Sequence, residues 1–345
     1  MGFLWWGNEK KKPNNYSVDT SKGLPFPLID ELETAKQKGE KIYLVLPGGG
    51  ACGRFQIWGL YWLYQLGIFE YLTGVVGTSV GGINTALVAK YRNNFDAGTS
   101  VWNQITWNKD VFDGMLQFNN LFDIMGMVGQ INNNNKGQSI LNQKGLIEIV
   151  NKIFGNNKLS DFKDLDVVLT ATDIDGQVLD VYTKESCDLP LSELVLRTSA
   201  IPLAFMPQKG KERGHKHVDG GFGNNDPVQT AVERGATKII IIGTWPKDDS
   251  YTPVKDDLFS IAPRLLQMAM NIFEMKMWQW IDLYEKYANS NPNVKSVEFC
   301  TLYPPQNSGL KFDSLKFDNP EIGQCGYDTA IKYLTKEKLS KFLCD

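Results

Sequence analysis

Apolar residues along the chain recur in one arrangement: a short unbroken run, a glycine turn, then a stretch long enough for a helix. Ile42–Leu46 (IYLVL) is a run of strand length that ends in Pro47 and the triple glycine Gly48–Gly50. Behind it, Arg54–Leu72 is rich in apolar residues and predicts a buried helix. Val75 and Val76 form a short strand end, Gly77–Gly81 a tight turn, and Ile83–Tyr91 a second helix. Two such units in close succession predict a parallel sheet with helical crossovers. Asp166–Ile174 and Gln177–Tyr182 read as a hairpin turned at Asp175-Gly176. Leu191–Pro202 predicts a helix stopping near the proline, and Asp226-Pro227 opens a further helix that Gly235 caps. Lys238–Thr244 (KIIIIGT) is a strand whose continuous apolar run suits a parallel sheet covered on both faces. A long helix over residues 261–287, a late strand at Lys295–Pro304 and a helix from Cys325 to Leu343 complete the pattern.

Two regions break it. Residues 1–40 read as a peripheral segment with one short helix. Residues 92–160 are dense in asparagine, notably QINNNNKGQ, with scattered aromatics at Trp102, Trp107, Phe112, Phe118 and Phe122. They predict a mostly helical insertion, either a wall of an acyl-chain pocket or plain elaboration of the fold. The expectation is therefore a single α/β domain over residues 41–345. It has three layers, α/β/α, with a mostly parallel central sheet and helical insertions.

Composition narrows the function. The 345 residues are 42% hydrophobic and 22% charged, which fits a globular protein with a sizeable core. Lys plus Arg number 36 against 39 Asp plus Glu, a net charge of -3, so no basic face for nucleic acid is expected. No run approaches the length of a membrane span. The five cysteines are far apart and form no CxxC pair, so neither a disulfide framework nor a zinc knuckle is readable. The N-terminal MGFLWWGNEKKKPNN lacks the order of a secretory signal, and Trp6 sits where myristoylation wants Ser or Thr. A cytoplasmic location is the default expectation, with membrane association open. In residues 261–287, Met268, Met270, Met275 and Met277 beside Trp278 and Trp280 would make either an adaptable lipid-facing surface or ordinary packing onto the sheet.

The strongest chemical signal is Ser79 in Gly77-Thr78-Ser79-Val80-Gly81, a G-x-S-x-G between a strand and a helix. A serine set in so sharp a turn has its hydroxyl pushed outward, which suits a nucleophile; the alternative is a helix cap. Gly48, Gly49, Gly50, Ala51, Cys52 and Gly53 follow the first strand and precede a helix. Their small side chains leave amides exposed at a positive dipole end, suiting an oxyanion. A phosphate loop would need a Lys-Ser or Lys-Thr pair that is absent here, and no acidic strand end completes the G-x-G-x-x-G dinucleotide pattern. Asp219 precedes Gly220 and Gly221; alone, it is equally well a turn-forming residue. The two histidines, His215 and His217, lie in the charged stretch KGKERGHKH, which reads as an exposed loop. None follows Asp219, so the Ser–Asp–His order of ordinary α/β-hydrolases does not apply.

In order and spacing these motifs resemble those of the patatin-like phospholipases, near the bacterial branch. The similarity rests on the Gly48–Gly53 loop, Gly77–Gly81, TSAIPLAFMP at Thr198–Pro207, Asp219-Gly220, and Asn224–Thr244. It covers about Lys41 to Thr244, and a weaker match lies near Gly323–Tyr327. The chain departs from that pattern at Cys52, where Arg or Lys is usual, and at Trp58, where a small glycine is common; Arg54 follows two positions after Cys52.

The resemblance implies a Ser–Asp dyad without histidine: Ser79 as nucleophile, Asp219 as base, and the amides of Gly49, Gly50 and Ala51 as oxyanion hole. Gly48, Cys52, Gly53, Arg54, Gly77, Gly81 and Gly220 would support the motifs. It implies a serine lipid acyl hydrolase acting on phospholipids or lysophospholipids through an acyl-serine, with no metal and no cofactor. Peripheral membrane contact would bring substrate. An acyltransferase with the same dyad is an alternative. So is a lipid- or protein-binding module in which Cys52 marks a weakened oxyanion loop.

Overall fold

The computed structural model describes residues 27–105, 110–111, 143–202, 205–210, 212–246, 258–310, 312 and 317–344. The N-terminal apolar patch, the Asn-rich loop, Trp107, Phe112, Phe118, Phe122 and the side chain of Met270 lie outside them. In chain order the elements begin with α1 (Ile29–Gln37), β1 (Ile42–Leu46), α2 (Gly53–Gln65), α3 (Ile68–Tyr71), β2 (Leu72–Thr78) and α4 (Val80–Lys90). Next come α5 (Phe95–Gln104), α6 (Lys144–Phe154), β3 (Asp166–Asp173), β4 (Val178–Tyr182) and α7 (Leu191–Thr198). Then β5 (Gln208–Lys209), β6 (Lys216–Asp219), α8 (Gly221–Asn224), α9 (Val228–Glu233) and β7 (Lys238–Ile242) follow. The chain closes with α10 (Leu258–Ser290), β8 (Glu298–Leu302), α11 (Glu321–Tyr333) and α12 (Lys336–Cys344).

Strands β3, β2, β1, β7 and β8 pair in that order and all in parallel. Alternate side chains of each strand enter opposite layers, as the two-residue period of a strand requires. Leu44, Leu46, Ile240 and Ile242 face the larger apolar cluster with α2, α4, α7 and α11. Tyr43, Val45, Ile239 and Ile241 face the smaller one with α9 and α10. The three-layer α/β/α expectation is met, and the unbroken apolar runs of β1 and β7 are buried on both faces.

Some boundaries differ from the sequence reading. The stretch Arg54–Leu72 is two helices, because Gly67 takes φ 80° and ends the first. Strand β2 is longer than its two valines, since parallel ladders to β1 and β3 extend on both sides of them. The C-terminal helix is likewise two, α11 and α12. Helix α1 packs Leu32 and Ala35 into the larger cluster. On α10, Met277 and Ile281 are buried against the sheet while Met268, Ile272, Met275 and Leu283 face outward. Among the described residues no helix is long and apolar enough to cross a membrane.

What places the site is the unequal length of two neighbours. β2 ends at Thr78, paired with Thr170 of β3. β3 continues for three more residues, and β6, running antiparallel along that same edge, pairs Ala171 with Asp219. The ends of β2 and β6 therefore meet head to head on β3, and the next residue of β2's chain is Ser79. On the other side, α4 lies hard against the end of β1: a Cβ on Gly81 would fall 1.8 Å from the Leu46 carbonyl oxygen. A buried network ties the two glycine turns together. Gln56 Nε2 donates to the carbonyls of Pro47 and Ile242, Asn84 Nδ2 to Gly53 O and Gln56 Oε1, and Trp102 Nε1 to Asn84 Oδ1.

The contact at Gly81 is testable. The group in the way is backbone, which cannot rotate aside, so Gly81→Ala should cost at least about 3 kcal/mol, beyond ordinary overpacking. Urea unfolding followed by circular dichroism measures this. An unchanged midpoint would show that α4 can lift from the strand end.

Candidate active site

Ser79 joins β2 to α4 with φ 57° and ψ -130°. A non-glycine residue in that region costs on the order of 1–3 kcal/mol and persists only where its surroundings hold it. Two contacts hold it here. Gly77 and Gly81 are so close that a Cβ on Gly77 would lie 2.3 Å from the Gly81 carbonyl oxygen, so only glycine closes this turn. The Ser79 amide donates to the hydroxyl of Thr198, at the end of α7, over 2.8 Å.

The Ser79 hydroxyl donates to Asp219 Oδ2 over 2.5 Å. The other carboxylate oxygen, Oδ1, accepts the amide of Gly221 over 2.8 Å. The backbone around Asp219 is pinned as well: its amide donates to Ala200 O, and that of Gly220 to Thr198 O. Both Ser79 and Asp219 are buried. Burial pushes the Asp219 carboxyl up to about 7, against the opposing pull of the Ser79 hydroxyl and the Gly221 amide. The site thus holds a buried carboxyl with a raised pKa in hydrogen-bond contact with a serine hydroxyl.

The glycine loop lies beside it. Gly48 touches the turn at Ser79, since a Cβ there would be 2.8 Å from Ser79 Cβ. Gly50 takes φ 56° and lines the same cleft as Ser79. The amides of Gly49, Gly50 and Ala51 make no hydrogen bond among the described residues, and the 13-residue helix α2 starts just behind them. The cleft is almost wholly apolar. Ile83 and Leu87 of α4, Trp102 of α5, Leu146 and Ile153 of α6, and Phe205 are among its walls. The region read as an insertion therefore supplies a large part of the cleft.

Other residues lie elsewhere than the sequence suggested. Arg54 is buried and donates to the carbonyls of Trp102, Ile105 and Phe317, so its charge staples the end of α5 rather than the glycine loop. Cys52 is fully buried, and its side chain does not line the cleft. The histidines are not a solvated pair. His217 is on β6 at 0% exposure, with Nε2 2.9 Å from Asp180 Oδ2, and His215 Nδ1 lies 2.8 Å from Asp173 Oδ2. The β5–β6 hairpin folds this charged stretch back onto β3, where Arg213 pairs with Asp173 and Asp180. Neither histidine touches Ser79 or Asp219.

Sequence reasoning missed Thr198 as the partner of the Ser79 amide, and Thr244, whose hydroxyl donates to Gly48 O over 2.6 Å. A threonine ending a helix, or following a strand, carries no local sign of such a contact.

The sequence model described as patatin-like phospholipase matches residues 44–232, more than half of the chain. The chain is 27% identical over 301 residues to patatin-like phospholipase domain-containing protein 7 of Rattus norvegicus, covering 84% of this chain and 20% of that protein. It is 28% identical over 298 residues to neuropathy target esterase sws of Drosophila melanogaster, covering 84% and 19%. The chain thus spans about one-fifth of the length of these relatives. Among solved structures, VipD from Legionella pneumophila aligns over 86% of this chain and 66% of its own, with 14% identity and a TM-score of 0.40. Human GIVD cytosolic phospholipase A2 with a fluorophosphonate inhibitor aligns over 91% and 62%, with 8% identity and a TM-score of 0.47.

The buried carboxyl has a consequence for stability. An unfolded Asp titrates near 4, whereas burial raises Asp219 to about 7 in the folded chain. Between those values the folded protein holds a proton that the unfolded chain has released. Stability from this group therefore falls as pH rises through the window, and stays lowered above it. Asp219→Asn removes the penalty. It should stabilise the fold by on the order of 1–3 kcal/mol at about pH 7.5, and by much less at about pH 4.5. Urea midpoints at the two pH values test this; a loss of stability at the higher pH contradicts it.

Proposed function

The chain belongs to the patatin-like phospholipase family, a family of lipid hydrolases, and from that premise we propose that it cleaves carboxylic esters of phospholipids or lysophospholipids at Ser79. The observation that carries the reading is the 2.5 Å contact of the Ser79 hydroxyl with a buried carboxylate at the floor of an apolar cleft.

In this reading Asp219 accepts the Ser79 proton as Oγ attacks the ester carbonyl. The amides of Gly49, Gly50 and Ala51 hold the oxygen that becomes negative, helped by the start of α2. The C–O bond to the alcohol breaks, and the alcohol leaves with the proton from Asp219. Water then gives a proton to Asp219 and attacks the acyl-serine, and the fatty acid departs as Ser79 recovers its proton. Asp219 is a weak base by nature, and its raised pKa brings it nearer the strength this exchange needs. The acyl chain lies in the apolar cleft between α4, α5 and α6.

Two measurements test the assignment. A fluorophosphonate probe should label Ser79 and leave folded Ser79→Ala protein unmarked. With a soluble nitrophenyl ester, Asp219→Asn should lower kcat/KM by about 10²–10⁴-fold. Folded His217→Ala should lose less than about tenfold, since His217 faces Asp180 and lies outside the proton path. Only ionised Asp219 accepts a proton, so wild-type kcat/KM should fall as pH drops below about 7. A near-wild-type Asp219→Asn together with a collapsed His217→Ala would assign the base to histidine.

A further inference from the structure

One wall of the apolar cleft is joined to the glycine loop by a single run of buried hydrogen bonds. Trp102 of α5 lines the cleft. Its indole Nε1 donates to Asn84 Oδ1 over 2.9 Å. Asn84 Nδ2, on α4, donates to Gly53 O and to Gln56 Oε1, each over 3.0 Å. Gln56 Nε2, on α2, donates to Pro47 O and Ile242 O, each over 2.8 Å. Pro47 precedes the loop and Gly53 closes it, so both of its ends hang on this run. All three side chains are buried, Trp102 at 2% exposure and the two amides at 0%.

The run has one orientation. An indole nitrogen only donates, so the Asn84 atom that faces it is the oxygen. Both Asn84 N–H bonds then point to Gly53 and Gln56, and both Gln56 N–H bonds to the two carbonyls. Every donor is used, and flipping Asn84 would set donor against donor. Trp102 also bears on the loop directly, since a Cβ on Gly53 would lie 3.2 Å from Trp102 Cζ2. Apart from its N–H, the ring is held by Phe317, stacked at a centroid distance of 6.3 Å, and by the Arg54 guanidinium 5.6 Å from its centre. The amides of Gly49, Gly50 and Ala51 have no partner of their own among the described residues, so the ends of the loop set where they point. One ring therefore forms a wall of the cleft and holds the loop beside it. An oxyanion donor displaced by about 1 Å can cost a hundredfold in rate.

We propose that Trp102 is a positioning residue: an acyl chain seated against its ring fixes the loop amides through Asn84 and Gln56, so that the site works fastest on esters whose chain reaches Trp102. This rests on the reading of Ser79 as an ester-cleaving nucleophile and of the glycine loop as its oxyanion hole. A short chain leaves the ring unbacked on the cleft side, and the loop amides then keep their connections but lose their fixed setting.

Two measurements on the full chain test this. The first uses octanoate as the probe on folded Ser79→Ala protein. Calorimetry should show octanoate binding, and saturation should slow amide hydrogen exchange in the Gly48–Gly53 segment by about threefold or more. No binding, or binding with unchanged exchange, overturns the proposal. This arm needs no change at Trp102, so it stands even where a variant there does not fold. The second uses nitrophenyl acetate and nitrophenyl octanoate. Wild-type kcat should rise by about tenfold from the acetate to the octanoate. Trp102→Phe keeps a ring for Phe317 and Arg54 but deletes the N–H. It should flatten that rise by lowering kcat on the octanoate, with KM within about twofold of wild type. A folded variant that loses stability to urea but keeps the full rise shows a purely structural network and overturns the proposal. Loop protection by octanoate, with no ester hydrolysis by wild type, would retire the nucleophile reading and keep the coupling. Hydrolysis whose kcat no chain length alters would do the reverse.

Discussion

The centre of this molecule depends on the overhang of β3 beyond β2. Because β3 runs three residues past Thr170, one of its edges is shared by two strands that approach from opposite directions, β2 and β6. Each ends where the other ends. Hydrogen bonds of the sheet, rather than side-chain contacts, therefore set the separation of Ser79 and Asp219. A serine–aspartate pair built on strand ends is held to the tolerance of the sheet, the precision that the proposed proton transfer and attack require. The Thr78–Thr170 hydroxyl pair, at 2.7 Å, closes the junction.

That arrangement is costly on its own. It puts Ser79 in a strained backbone region and Asp219 in a buried position where its charge is disfavoured. The surroundings offset both costs. Helix α4 is pressed onto the end of β1 at Gly81, and Thr198 takes up the amide that the strained turn would leave unpaired. The Gln56–Asn84–Trp102 network is fully connected, so it anchors the glycine loop to α4 and α5 without leaving a buried group unsatisfied. Arg54 extends the same role by capping the end of α5. A basic residue near the loop in sequence thus acts on the wall of the cleft.

The cleft and a smaller pocket divide the ends of the strands between them. One is walled by helices that follow β2 and is apolar. The other is walled by the ends of β7 and β8 and by α10, and it holds acids and aromatics. The loop Gly48–Gly50 runs between them and exposes amides rather than side chains.

Much of this was legible along the chain. The strands β1 and β7 and the glycine turn at Ser79 follow from local pattern, because each is specified by neighbouring residues: an unbroken apolar run, or glycines at fixed spacing around a serine. The order of motifs was enough to suggest the family that the family model then matched. Local pattern could not show that β6 returns to the edge of β3, because an antiparallel partner 40 or more residues away leaves no mark on KGKERGHKH. For that reason the histidines read as solvated, whereas the hairpin buries His217 against Asp180. Nor could it show that Arg54 turns away from the loop, or that Asp226 and Glu274, separated in sequence by β7 and the chain into α10, share one pocket. Sequence alone determined which residues can do chemistry and which turns can present them. Tertiary structure decided which of them meet, because burial and strand pairing set a side chain's partners and its charge, and both are properties of distant chain segments brought together.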